Sequence, residues 1–408
     1  MGLIDSLRAR LNKKPPRSNL TTAQTFSGDA RRTYTTWRGA AAWDNDTYRA
    51  AVDAICRNAG KLKGRHVITD AQGRHTAGNP TITRLLETAP NPLMSAYDFL
   101  YRLTADLYLN GNAFALIDRD QRGNVAGFYP VTASGVEWLT DEAGRIYLRF
   151  RFRSGKTAVF PYADVVHIRR HYATDELMGD SDAAIRGAVE LAEAQNNGAI
   201  TAIQSGAQLR GILKYTSIQS PEMLQKSKQQ FMQDFLAMGN NGGIVVTDAK
   251  QDYQPIADKP TPIDAAAADA VAQRIYAYLG VSREIVTASY DEDQFGAFYE
   301  SVLEPLCCAY SQAFTVKCFT PRERAYGNSI EFDGGRTLYA SNSTKLSMIK
   351  ELTPMGLLTV NEARELLNLS PVEDGNTRLQ SLNYVAADKA NEYQLGGQDD
   401  ETGKGAKA

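Results

Sequence analysis

Two alanine-rich helical stretches, separated by a small insert, constrain this chain more than any other feature. Between 181 and 209, Ile185, Val189, Ala192, Asn196, Ala199, Ile203 and Ala207 recur at steps of three and four, one face of an α-helix. Ser181 and Asp182 supply an N-cap and a first-turn charge. Run through Leu209, the helix would be ~45 Å long. Its stripe is mostly alanine, which lets another backbone come close but buries little area. Gly187, Gly198 and Gly206 each cost roughly 1 kcal/mol relative to alanine. Such a helix forms a weak core alone and needs neighbours, for which copies of itself are a ready source. Asn196-Asn197-Gly198 leaves a second reading open, a break into two ordinary helices.

The insert begins with a strand, Ile212-Leu213-Lys214-Tyr215. Ser220-Pro221 caps and opens a helix with Leu224, Phe231, Phe235 and Met238 on one face and Lys226, Lys228, Gln229 and Gln233 on its polar face. Gly239 ends it, and Asn240-Asn241-Gly242-Gly243 turns into the strand Ile244-Val245-Val246-Thr247. A βαβ unit this short does not stand as a domain; it reads as a knob that packs on something. The second alanine-rich helix runs from Thr261-Pro262 to Leu279, with Val271, Ile275 and Tyr278 on one face. An acidic, hairpin-like loop, 283–294, follows it.

Elsewhere the chain divides by period. Residues 1–39 open with a short basic amphipathic segment and Pro15-Pro16, an arm expected to be mobile. Helices are predicted over 46–59 and 95–109, the second with Ser95 and Asp98 placed for a capping box. A strand is predicted near 66–69. Period-two stretches at 113–118, 125–130, 136–139, 146–152, 157–160 and 165–169 predict a mostly antiparallel region with hairpin turns at 121–124 and 141–144. Residues 295–319 read as a helix that Pro305 should kink. A last strand is expected at 329–333 and helices at 340–352 and 360–367, the latter opened by Thr359 and Glu362. Residues 386–408 are polar and glycine-rich, a composition that favours disorder.

The 408 residues carry a net charge of −2, so tight gripping of nucleic acid through phosphates is not expected, although loose sliding contact is compatible. No apolar run reaches the ~18 residues of a membrane helix. The first 20 residues lack an apolar h-region, so a secretory signal is not expected, and the Met1-Gly2…Ser6 match to a myristoylation pattern is too short to count. Cys56, Cys307, Cys308 and Cys318 have no zinc-ribbon spacing and read as reduced thiols.

Catalytic-looking fragments are incomplete. Ser154-Gly155-Lys156-Thr157 resembles the end of a phosphate-binding loop, but Phe150 stands where its first glycine belongs and no helix follows. His167 and His171 lie too far apart on a strand to share a zinc, and no glutamate of the zinc-protease motif accompanies them. Asp291-Glu292-Asp293 has the ligand type for Mg²⁺, but a solvated acidic loop is the commoner meaning. Arg149, Arg151 and Arg153 fall on one face of a strand, with Ile146, Leu148, Phe150 and Phe152 on the other. That arginine row could touch phosphates, pair with acids of a neighbouring subunit, or be a solvated sheet face. No nucleophile, base and orienter come together. Neither a catalytic site, a metal site nor a cofactor is expected; a metal-dependent nucleic-acid enzyme and a DNA-binding module stand as the alternatives.

Six short segments stand in order over roughly 40–385: Asn110-Gly111-Asn112-Ala113-Phe114 with Arg119-Asp120, Asp164-Val165-Val166-His167-Ile168 and Gly179-Asp180-Ser181. Gly242-Gly243-Ile244-Val245-Val246, Leu279-Gly280-Val281-Ser282 and the stretch from Gly356 through Thr359, Asn361, Glu362 and Arg364 follow. Taken together and in this order, they resemble the portal proteins of long-tailed bacteriophages, with serine at 282 where proline is usual in that family. The resemblance implies an α+β portal fold with a β-rich wing, an α-helical stem, a small αβ clip, a kinked helix and a short helical crown. In this chain these would be a wing over 40–180, stem helices over 181–210 and 259–280, a clip over 211–258 and a tunnel loop over 281–294. The kinked helix and a return to the wing would occupy 295–352 and the crown 353–385. It implies a homo-oligomeric ring, typically of twelve subunits, at one capsid vertex in the virion, assembled in the host cytoplasm. Double-stranded DNA would pass through its channel in packaging and ejection. Implied partners are the terminase large subunit, which would supply the packaging energy, the major capsid and scaffold proteins, and head-completion or tail adaptor proteins. No membrane is implied. The channel residues would be Arg283, Glu284, Thr287, Ser289, Tyr290, Asp291, Glu292 and Asp293, and Lys226, Lys228, Gln229 and Gln233 would dock the terminase.

Overall fold

The computed structural model describes residues 21–22, 33–34, 39–173, 175–180, 182–206, 211–215, 220–226, 229, 251–255, 265–334, 342–367 and 369–380. Its centre is a three-stranded antiparallel sheet in the order Val165–Arg169, Asn112–Arg119, Val125–Pro130. Alternation along these strands serves two cores. Ala113, Ala115, Ile117, Val166 and Ile168 face a large helical core. Phe114, Leu116 and Val165 face a smaller one, shared with Val136, Trp138, Leu148, Phe150 and Phe160 of the neighbouring sheet.

That neighbouring sheet is the meander Gly135–Thr140, Ile146–Arg151, Thr157–Pro161. Its turns close as the sequence predicts: Asp141 accepts from the backbone N–H groups of Ala143 and Arg145, and Gly144 adopts φ 73°. Two pairs of residues from the expected mobile arm, Thr21–Thr22 and Thr33–Tyr34, add to the free edge of Gly135–Thr140. At those points the arm belongs to the sheet, because an unpaired edge is a ready partner for any extended chain.

The large core is helical. Asp46–Ala59 is capped by Asn45, and Ala96–Asn110 by the expected Ser95–Asp98 box. Asp46–Ala59 packs on Ala96–Asn110, which meets Glu304–Cys318 around Phe99, Phe128 and Phe314, whose ring centroids lie 5.1 to 6.3 Å apart. Such aromatic pairs add about 0.5–1.5 kcal/mol each beyond their burial. A third sheet, Asn328–Asp333, Lys63–Thr69, His75–Ala77, covers the far side of that helix. The helix Pro80–Glu87 and the strand His75–Ala77 were not anticipated, although Asn79-Pro80 is a cap followed by proline at the first helical turn.

The first long helix is continuous: a 3₁₀ turn over Asp182–Ile185 leads into Arg186–Gly206, so Asn196-Asn197-Gly198 does not break it. Its 21 residues span ~32 Å, shorter than the length expected from the pattern. Ser181 lies outside the described residues. The second helix, Ala265–Leu279, packs on the first and on Asp46–Ala59. It buries Val271, Ile275 and Leu279 rather than Tyr278, which is half-buried beneath Arg170.

In the insert, Gly211–Tyr215 pairs antiparallel with Gln251–Pro255, a partner the sequence did not suggest. The expected strand 244–247 lies outside the described residues. Residues 221–226 are helical, and Met223 and Leu224 are exposed there. Asn328–Asp333 is not the last strand: Met355–Thr359 and Arg378–Gln380 pair beyond it, around the helix Val360–Leu366 with its Thr359–Glu362 capping box. The C-terminal unit is therefore mixed rather than purely helical. The segment 386–408 lies outside the described residues.

Candidate functional site

The acidic stretch after the second long helix is mostly helical, not a hairpin-like loop. Gly280, at φ 78°, ends that helix, and Val281 is buried beneath it. Ser282, which stands where the resembling motif has proline, caps Arg283–Thr287 by accepting from the Ile285 N–H. The Glu284 carboxyl is held below its ordinary value by hydrogen bonds from its own N–H and from the Ser282 hydroxyl. Ala288, at φ 58°, closes the turn, and the Thr287 and Ser289 hydroxyls lie 2.8 Å apart. Arg283 meets Asp269 at 3.4 Å, a largely exposed pair of small energetic weight.

Asp291 then caps Glu292–Phe298 in a capping box with Gln294. The three acids are thus an N-cap and a first turn, where negative charge is stabilised by the helix dipole. Glu292 also accepts from Thr344 at 3.0 Å. Residues 287–294 are all exposed, while Phe295 and Phe298 anchor the segment in the large core and Tyr290 packs over Phe295 at 5.2 Å. After Phe298 the helix widens into a π-turn over Tyr299–Leu303 before Glu304–Cys318. Pro305 has no N–H to give and its ring crowds the preceding turn, so the distortion falls just before it.

The arginine row is only partly a row. Arg149 pairs across the sheet with Glu137 at 2.9 Å, Arg151 is exposed at the strand end, and Arg153 lies in the following turn rather than on the strand. Ile146 is exposed, unlike Leu148 and Phe150. In the insert, Lys226 and Gln229 are exposed; Lys228 and Gln233 lie outside the described residues.

Ser154-Gly155 forms the turn of a hairpin, with Gly155 at φ 78°, and no helix follows it. His167 is buried and stacked on Phe114 at 4.5 Å, and burial, with Arg169 and Lys317 nearby, holds its pKa well below the ordinary value. His171 is exposed. Among the described residues no cluster of metal-ligating side chains occurs, and no helix is long and apolar enough to cross a membrane. The cysteines are free; burial pushes the Cys307 and Cys318 thiols up to about 12.

The geometry also explains residues that the sequence presented only as motif letters. Arg119 pairs with Asp164 at 3.1 Å and donates to the Lys317 carbonyl at 2.8 Å, tying the end of Asn112–Arg119 and the 3₁₀ turn Tyr162–Asp164 to the end of Glu304–Cys318. Asp120 accepts from the N–H groups of Arg122 and Asn124 and shapes the hairpin turn. Asn361 accepts from the Val372 N–H and donates to its carbonyl, and Arg364 donates to the Ser370 carbonyl. These polar ties hold a C-terminal unit in which, among the described residues, Ala363 is the buried apolar side chain.

A family model described as phage portal protein matches residues 46–368. The portal protein of Enterobacteria phage HK97 is 23% identical over 322 residues, covering 75% of this chain and 74% of its own. Among solved structures, the neck of a native gene transfer agent particle computed with C12 symmetry has a TM-score of 0.57 at 16% identity, over 85% of this chain and 98% of that one. An HK97-family phage portal protein from Corynebacterium diphtheriae has a TM-score of 0.52 at 15% identity, over 74% and 98%. At these identities the structural likeness is one of fold; the family match covers most of the chain. This chain belongs to the phage portal protein family.

Proposed function

We propose that copies of this chain close into a ring at one vertex of a phage capsid, and that double-stranded DNA passes through its centre in packaging and ejection. Portal proteins are structural, not enzymes, and the fragments that resemble catalytic motifs have structural duties here. The observation that carries the ring is the first long helix. With the turn before it, it is buried at Ile185, Ala188, Val189 and Ala192, and beyond Ala192 it presents Ile200 and Ile203 at 51% and 74% exposure. Water is a poor neighbour for that surface; the same helix of an adjacent copy is a good one. Likeness to a neck of C12 symmetry supports twelve subunits.

In this reading the exposed segment 287–294 lines the channel, with Arg283 and Glu284 at its base. Acids there keep phosphates from sticking, over a range of roughly 8–10 Å at physiological salt. The insert between the long helices docks the terminase large subunit through Lys226, Lys228, Gln229 and Gln233, and later the head-completion proteins. Capsid and scaffold proteins surround the ring. Size-exclusion chromatography with negative-stain microscopy tests the ring. Annular particles are expected under at least one salt and protein concentration; monomers under all of them would overturn it.

A further inference from the structure

The first long helix is entered through a joint built on Asn112. This side chain is 2% exposed and fully used. Its Oδ1 accepts from the Gly179 N–H at 2.8 Å and from His167 Nε2 at 3.0 Å. Its Nδ2 donates to the carbonyls of Gly179 at 3.0 Å and Asn110 at 3.2 Å. One amide thus grips both polar groups of Gly179, three residues before the helical turn begins at Asp182. A Cβ at Gly111 would collide with the Asp180 carbonyl oxygen, and one at Gly179 with the carbonyl oxygens of Gly111 and Arg170. The backbones can meet only as glycines.

The joint extends inward. With Nε2 donating, His167 Nδ1 faces the Tyr162 hydroxyl at 3.5 Å. Lys317 donates to the Tyr162 carbonyl at 2.7 Å, and Arg119 holds the Lys317 carbonyl. Polar contacts therefore run from the base of the first long helix to the end of Glu304–Cys318, whose other end leads through the π-turn to residues 291–298.

We propose that Asn112, with His167, is a positioning residue that sets the direction in which the first long helix leaves the body. Packing of Ile185, Ala188 and Val189 decides where the helix lies, but apolar contact is non-directional and tolerates tilt. Four hydrogen bonds do not. A tilt of about 5° at the base moves the far end of the helix by about 3 Å. Equal tilts close a ring of one size; unequal tilts do not. That consequence rests on the ring reading, whereas the joint itself does not.

The test uses the full chain as wild type, Asn112→Ala and His167→Phe, with hydrogen exchange and ring size as readouts. Both variants should speed exchange roughly tenfold at Gly179 and over Asp182–Ile185 while leaving Gly135–Thr140 and Ile146–Arg151 unchanged. Rings of the variants should spread over several subunit numbers. Exchange that is unchanged, or faster throughout the body, would overturn the joint, as would local loosening with a single unaltered ring size. If Asn112→Ala does not fold, His167→Phe carries the test, since it leaves the other three Asn112 bonds in place. Wild type that forms no rings removes the ring reading but leaves the exchange result standing for the joint.

Discussion

Asp291 and His167 show how a side chain singled out for chemistry can have a structural task. Asp291 accepts from the Gln294 N–H at 2.8 Å as a helix cap. Asp291→Ala should therefore lower stability by about 1 kcal/mol, measurable by denaturant unfolding, whereas Asp291→Asn should change it little. His167 is buried neutral, with a pKa well below its ordinary 6.5. The unfolded chain takes up a proton as pH falls through that value and the folded chain does not. The stability held by neutral His167 is thus complete above about 6.5 and declines as pH falls further. Asp106 has the opposite sign: burial pushes it up to about 6, so from about 6 downward the folded state keeps a proton that the unfolded chain releases. The fall in melting temperature between pH values of about 7.5 and 5.5 should be smaller in His167→Gln than in wild type. Equal falls would show that the imidazole is not the group responsible. Asp106→Asn should steepen the fall.

Among the elements, the six period-two strands and their two turns were legible because alternation and turn chemistry act locally. The helix Glu304–Cys318 and its distortion were legible from Pro305. The pairing of Gly211–Tyr215 with Gln251–Pro255 was not, because Gln251-Asp252-Tyr253-Gln254-Pro255 has little β signature and gains its shape from its partner. Three acids in a row suggest a solvated loop, yet the same residues suit a helix N-terminus, which is where the structure places them. Glu292→Lys with Asp293→Lys leaves the Asp291 cap in place. Rings should assemble normally while DNA packaging slows, most at low salt where attraction to phosphate is strongest. Packaging unchanged at every salt concentration would remove this segment from the channel.

For the whole molecule, the alanine stripe at 185–207 predicts a helix that needs neighbours, copies of itself among them. The structure divides that stripe into a docked half and a projecting half, a division invisible in the pattern because both halves repeat alike. What the projecting half reaches toward, and what the insert meets, are properties of an assembly. Charge reversal at Lys226 and Lys228 should weaken packaging several-fold and leave ring size unchanged, as expected of a rim contact with a separate motor. Normal packaging by that variant would place the terminase contact elsewhere. The most direct measurement is a cryo-electron microscopy reconstruction of the purified particles. The account predicts a closed ring in which Asp291, Glu292 and Asp293 face the central channel and the Gly211–Tyr215 and Gln251–Pro255 pair stands at one mouth. Density that puts those acids on the outer surface, or particles that never close, would contradict it.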